Sequence, residues 1–320
     1  MLKIIHRYTR AIQALLLLAG VACAVPIQAA GYNYTVIDYP GAIFTQVFGI
    51  NDSGMIVGFA SLDNPSPAIS FVYDSKKQVF TILPNVPGKF STQAQGINES
   101  GAVSGNAGDG VFNIGFILEA GAFTVLPTRG WPYTEARAIG TTGLVTGFSS
   151  DNAGHTVGFI YNPDDRSFID ILPSPRTFAQ GINSSGQVVG SVRLDAGGAY
   201  PGSPAGHYGF LRARSAAIQL FEVKRGVNTR ARGITNWGRI TGFFEDPVTG
   251  TTRGYVASLA PVPGFQSLTV PDEDLLDVPG AVVTTPEGIE DSGRIAGIWN
   301  DAGGLAHGFL AAPLPSEGAK

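Results

Sequence analysis

Past residue 30 the chain alternates apolar and polar positions in runs of four to eight residues, broken by Gly, Pro, Asn and Ser, and no sustained helical period appears. One decamer recurs. It reads GINDSGMIVG at 49–58, GINESGAVSG at 96–105, AIGTTGLVTG at 138–147, GINSSGQVVG at 181–190, GITNWGRITG at 233–242 and GIEDSGRIAG at 288–297. All six copies keep an isoleucine (Ile50, Ile97, Ile139, Ile182, Ile234, Ile289), a glycine four residues on, an Ile or Val six on and a second glycine eight on. This is the chemistry of a tight hairpin. A strand ends at the isoleucine, Asn-x-Ser turns the chain, and Gly54 or its equivalent takes the positive φ that closes a bulged type I connection.

After each hairpin comes a second apolar segment with an aromatic anchor: Phe71, Phe116, Phe159, Phe210, Tyr255 and Phe309. A further alternating segment follows five of them, at 80–83, 123–126, 168–172, 218–220 and 265–268. Each unit therefore holds four strands, and the repeat isoleucines lie 47, 42, 43, 52 and 55 residues apart. That period predicts an all-β, six-bladed β-propeller of four-stranded blades. The sixth unit ends after Phe309 without an outer strand, whereas Tyr34-Thr-Val-Ile37 near the N-terminus reads as one. The expectation is a single propeller domain over 31–313, closed by the N-terminal strand, which hides two sheet edges, with a short polar tail at 314–320.

Composition adds a compartment. Residues 1–30 open with Lys3, Arg7 and Arg10, continue through an apolar run at 14–22 and end on Ala29 and Ala30, the pattern of a secretory signal peptide too short to span a membrane. Lipidation of Cys23 is the alternative. Removing those residues leaves 18 basic against 25 acidic side chains, a net charge of −7 in place of −4, and no cysteine. An acidic chain without a basic run argues against nucleic acid. Disulfides, thiol catalysis and cysteine-bound zinc are excluded from the mature chain. The reading is a secreted or periplasmic monomer with no cofactor and no metal.

With Asp38-x-Pro-Gly-Ala42 loops, GIN-x-x-G-x-[IV]-x-G hairpins and a terminal His307-Gly-Phe triplet, the chain resembles the HAF repeat family of extracellular bacterial repeat proteins over nearly all its mature length. The resemblance implies export and a repeated β fold. It brings no catalytic residues.

The catalytic strings G-x-S-x-G, H-E-x-x-H, phosphate loops and D-x-D-x-D-G do not occur. Asn51, Asn98 and Asn183 read as turn residues bonding their own backbone. His155, His207 and His307 read as packing beside their Gly-Phe neighbours. The informative variation lies in the loops before the inner strands, which carry Tyr39, Phe44, Phe90, Arg129, Trp131, Tyr133, Arg176, Lys224 and Arg225. Aromatic platforms beside polar groups suit sugars. Two residues before each repeat isoleucine stand Phe48, Gln95, Arg137, Gln180, Arg232 and Glu287, placed by strand alternation around the channel mouth. One reading is the polar lining of a wet channel. The other is a pocket in which Arg137 and Arg232 hold a carboxylate or sulfate, answered by acidic Asp272, Glu273, Asp274 and Asp277. The candidate ligand-binding set is Gln95, Arg129, Trp131, Tyr133, Arg137, Gln180, Arg232 and Glu287, with no catalytic residue assigned. Three functions fit: a non-enzymatic module binding extracellular glycan or an exported protein; a polysaccharide lyase or glycosidase using Tyr133 or His155 with Arg137, or the pair Glu135 and Glu287; or a structural envelope component.

Overall fold

A computed structural model describes residues 26–29, 31–63, 67–109, 112–172, 176–195, 205–259, 271 and 273–315, with backbone only at 26–29. The body of the segment read as a signal peptide, Cys23, Asp272, the 265–268 strand and most of the C-terminal tail lie outside them. Among the described residues there is no helix; the chain is all-β.

Each repeat folds as an antiparallel four-stranded ladder. The innermost strands are Phe44–Ile50, Ser91–Ile97, Tyr133–Ile139, Thr177–Ile182, Val227–Ile234 and Val283–Ile289, each ending at its repeat isoleucine. By hydrogen bonding these units form five open sheets, where the repeat count predicts six. The second and third units join into one eight-stranded sheet through a single parallel pair, Tyr133 with Asn113. In the fifth unit the outer position beside Thr252–Ser258 is held by Glu273–Leu275, later in the chain than the strand predicted for it. The last unit takes its fourth strand from the N-terminus: Tyr32–Ile37 pairs antiparallel with Ala306–Pro313, Val36 opposite Phe309, and Pro26–Ala29 adds a fifth strand outside it. Each innermost strand packs against the next, and Val283–Ile289 packs against Phe44–Ile50.

Both repeat glycines have a structural cause. The first, at Gly54, Gly101, Gly143, Gly186, Gly238 and Gly293, has φ between 78° and 90°, as the turn chemistry requires. The second pairs across the ladder with the aromatic anchor: Gly58 with Phe71, Gly105 with Phe116, Gly147 with Phe159, Gly190 with Phe210, Gly242 with Tyr255 and Gly297 with Phe309. A Cβ there would meet an inner-strand carbonyl oxygen, and at Gly105, Gly147, Gly190 and Gly297 also the anchor's ring. The anchors are at most 1 % exposed.

No unit has a core of its own. The buried apolar side chains gather between successive units, for example Val57 of the first with Ala94, Val103 and Phe116 of the second, and Ile37, Ala296 and Leu310 of the last with Val47, Ile56 and Phe71 of the first. A single repeat could not bury its apolar face, so stability is a property of the whole array.

The hairpin asparagines do more than close their own turns. Asn51 Oδ1 accepts from Ser53 Oγ (2.8 Å) and Met55 N–H (2.9 Å), while its amide donates to Asn98 O of the next unit (3.0 Å). Asn98 donates likewise to Gly140 O (3.2 Å) and Asn183 to Thr235 O (3.0 Å).

Candidate functional site

The innermost strands are not regular. Each shifts register next to its isoleucine: between Val47 and Ile50, Ala94 and Gly96, Ala136 and Ala138, Ala179 and Gly181, Ala231 and Gly233, and Pro286 and Gly288. The unpaired residue includes Phe48, Gln95, Arg137, Gln180, Arg232 or Glu287. A bulge, where plain alternation was expected, thus re-aims the residue two before the isoleucine. Five of these residues, all but Phe48, line one cavity of about 80 Å³ with the repeat isoleucines. Close approach makes the ring possible: a Cβ on Gly49 would lie 2.9 Å from Gly96 Cα, and one on Gly288 2.5 Å from Phe48 O.

Within that ring four side chains form a charge cluster. Gln180 Oε1 accepts from Arg137 Nε (2.8 Å) and Arg232 Nη1 (2.9 Å). The Glu287 carboxylate stands 3.5 Å from both guanidiniums, and Glu135 stands 3.5 Å from Arg137. The side chains of Arg137, Arg232 and Glu287 are 12 %, 17 % and 6 % exposed. Burial lowers the Arg232 pKa to about 10, with Glu287 opposing and Arg137 and Arg230 adding to the effect. Arg137 lies over Phe48 at 5.4 Å and Arg232 over Phe243 at 5.0 Å. Gln95 stands apart, its amide donating to Asn106 Oδ1 (3.3 Å).

Beyond the ring, toward the end where the innermost strands begin, a cavity of about 300 Å³ opens among the third, fourth and fifth units. Arg137, Gln180 and Arg232 form its floor; Phe148, Phe178, Ser191, His207 and Arg230 form its walls. Phe148 and Phe178 meet edge to face at 5.1 Å, and Phe178 faces the His207 ring at 6.4 Å. His207 Nδ1 is buried with no hydrogen-bond partner among the described residues. Burial, then Arg230, Arg193 and Arg176, pull its pKa down to about 4, so the imidazole is neutral at pH 7. The pocket therefore combines apolar edges, a neutral imidazole and guanidinium groups.

Gln95 and Glu287 line only the smaller cavity, and three candidate residues line neither. Arg129, at φ 58°, makes a bidentate pair with Asp170 (2.7 and 2.8 Å) and lies 4.8 Å over Phe168, both on the outer strand Ser167–Ile171. Trp131 is half-buried, its backbone N–H bonded to Thr128 O (2.9 Å), and Tyr133 is exposed. Of the enzyme candidates, His155 pairs with Asp151 (2.7 Å), and Glu135 and Glu287 both face Arg137. Of the acidic answerers, Glu273 accepts from the backbone of Lys224 and Arg225, and Asp277 pairs with Arg253. His307 pairs with Asp38 (2.9 Å) and stacks on Trp299 at 4.6 Å, so the terminal triplet and the first loop meet.

His207, Arg230, Phe148, Phe178 and Ser191 were missing from the candidate set. The repeat register could have found four of them. Phe178 and Arg230 stand four residues before their isoleucines, and Phe148 and Ser191 directly follow the second glycine.

No family model matches the chain, and no curated protein matches it. Similar solved structures include the β-propeller domain of the Trilobed protease from Pyrococcus furiosus, described as having an open velcro topology: 11 % identity, TM-score 0.47, covering 87 % of this chain and all of that one. Another is a protein provisionally assigned as a gluconolactonase, at 13 % identity and TM-score 0.40, covering 72 % of this chain and 80 % of that one. Likenesses this distant say nothing of activity.

Proposed function

We propose that the chain is an exported six-bladed β-propeller of HAF-type repeats, clasped by Tyr32–Ile37, that acts as a binding module for an extracellular glycan. The observation that carries this reading is the pocket of about 300 Å³ at one end of the repeat axis, where Phe148 and Phe178 offer apolar edges beside Gln180, Ser191, His207 and three guanidiniums. Sugars present apolar ring faces edged by hydroxyls, and such a mixed lining matches both. Binding without chemistry asks only for a rigid scaffold and a differentiated end. The test is calorimetric titration with a panel of extracellular oligosaccharides: saturable binding without product formation supports the module, and binding of an exported protein with no sugar bound replaces the ligand class.

One observation favours a second reading, a polysaccharide lyase. His207 has an unpartnered ring nitrogen beside arginines, which sets a proton acceptor next to groups that would hold a carboxylate, although a ring titrating near 4 is a weak base for that step. Release of unsaturated products from an acidic polysaccharide would establish it. A glycosidase fits less well, because both carboxylates of the pair Glu135 and Glu287 are engaged with Arg137.

A further inference from the structure

The five arginines of this region divide by partner. Arg137 and Arg232 are paired: Gln180 Oε1 accepts from both and the Glu287 carboxylate stands 3.5 Å from both, which leaves Arg232 Nε in ion-pair range but without a hydrogen bond among the described residues. Arg230, on the same innermost strand as Arg232, has no carboxylate within ion-pair distance among the described residues; the acid whose field reaches it, Glu245, is instead bonded by Asn228 Nδ2 (2.8 Å). Arg176 and Arg193, whose backbones bond each other (2.9 Å), likewise lack a carboxylate partner among the described residues, and their charges bear on His207. The pocket wall thus holds Arg230 and a buried imidazole nitrogen with no hydrogen-bond partner among the described residues, and behind that imidazole Arg193 stands opposite His207 on the neighbouring strand.

In an acidic chain this concentration is not background. Elsewhere Arg129, Arg225, Arg253 and Arg294 each meet a carboxylate, and Arg166, Arg212, Arg214 and Arg239, which meet none among the described residues, do not line this pocket. Like charges crowded around a half-buried cavity cost free energy unless an anion answers them.

We infer that Arg230 and His207 form an oxyanion subsite in the pocket wall, with Arg193 and Arg176 adding positive charge from outside the lining, and that it takes the carboxylate or sulfate of an acidic sugar whose ring lies against Phe178. This deepens the glycan-binding reading and rests on it. It moves the anion from Arg137 and Arg232, which already have acceptors, to a guanidinium that has no carboxylate partner among the described residues. Arg230 supplies the fork that matches a planar carboxylate, and His207 as the Nδ1–H tautomer donates a further bond. The cavity is at the small end of ligand pockets, the size for one or two sugar rings.

The experiment titrates the full mature chain with trigalacturonate, its neutral galactose counterpart, a sulfated galactan trimer and an acidic peptide of equal charge, at low and at physiological salt. Trigalacturonate or the sulfated trimer should bind at least about tenfold tighter than the neutral trimer, the value of one charge-assisted bond, and lose affinity with salt. Whichever of the two binds tighter identifies the oxyanion. Arg230→Ala and His207→Gln should each erase most of that preference with unchanged thermal unfolding, whereas Arg129→Ala should keep it. Equal binding of acidic and neutral trimers overturns the subsite and leaves the glycan module standing. Binding of the peptide but no sugar, or of none of the four, overturns both. A full acidic preference retained by folded Arg230→Ala overturns the assignment of residues.

Discussion

At the end of the axis where the hairpins turn, successive units repeat the same contact to a neighbour; toward the opposite end the residue two before the repeat isoleucine differs between every pair of adjacent units. The hairpin end is closed by its own bonds. Besides the asparagine relay, Ser184 N–H donates to Asn236 Oδ1 (2.8 Å), Asn236 N–H to Asp291 Oδ1 (2.8 Å), and Asp291 N–H to Asp52 Oδ1 (2.9 Å), returning to the first unit. It is also acidic: burial, with repulsion from Asp291 and Glu290, raises the Asp52 pKa although the Asp291 N–H opposes the shift. The other end is rich in arginine and holds His207 Nδ1, Gln95 Oε1 and Arg232 Nε without hydrogen bonds among the described residues. Between the two lie the six repeat isoleucines, which border cavities on either side. The difference teaches where a repeat can vary. A turn that must bond the next turn tolerates few residues, while side chains facing open space are free to specialise.

The largest expected effect breaks the scaffold shared by both ends. Phe159 is 0 % exposed and packs with Ala136, Val145 and Tyr161 against Ile117 of the preceding unit. Phe159→Ala should cost about 3–5 kcal/mol in chemical denaturation. Gly147→Val should do comparable damage, since its Cβ would collide with Glu135 O and the Phe159 ring. Wild-type midpoints for both would mean that the aromatic anchors do not carry the fold.

Next comes the comparison itself. Asn98→Ala deletes bonds from Ser100 Oγ (2.8 Å) and Ala102 N–H (2.9 Å) and the bond to Gly140 O, all at a buried turn. The expected loss is about 2 kcal/mol. Arg230→Ala at the opposite end removes a charge with no ion-pair partner among the described residues, its one side-chain contact of note being the Phe243 ring at 5.4 Å, and should stay within about 0.5 kcal/mol of wild type. Similar losses at the two ends would erase the distinction between a self-satisfied face and a face built for a ligand.

How far the chain was legible follows the same division. The hairpins, the glycine conformations, the anchors and the pairing of Thr35-Val36 beside Phe309 all follow from local rules applied six times over, so one reading error would have had to recur six times. The register of the ring residues was also legible, but its cause was not: alternation points Arg137 to the axis, and the structure does so by a bulge. Partner choice was least legible. Nothing local says that Glu287 and Gln180, from other units, occupy Arg137 and Arg232, or that Arg129 turns through a left-handed residue to meet Asp170. The sequence reads the third-strand His207 as packing beside its Gly-Phe neighbour, and no local rule brings to it Arg193 and Arg230, which stand on other strands. In the fifth unit, the longest loop hid a different outer strand, Glu273–Leu275, whose acidic letters did not suggest one.

The smallest predicted effect is the most specific to the ligand end. An ordinary imidazole titrates near 6.5, and His207 in the fold near 4. As pH falls between those values the unfolded chain takes up a proton that the folded chain refuses. Stability contributed by the neutral ring is therefore complete above about 6.5, declines as pH falls, and is gone below about 4. The full difference would be worth roughly 3 kcal/mol; at a half-buried ring, solvent screening leaves about 1–2 kcal/mol. Urea midpoints at pH 7 and pH 4.5 should thus fall further for wild type than for His207→Gln, and titration elsewhere cancels in the difference. An acidic sugar seated beside the ring would favour its protonated form, so saturating trigalacturonate should shrink the gap between the two proteins. Equal acid sensitivity of wild type and variant without ligand would place His207 in water, outside the cationic pocket, and the ligand end would then lose the feature that most separates it from the hairpin end.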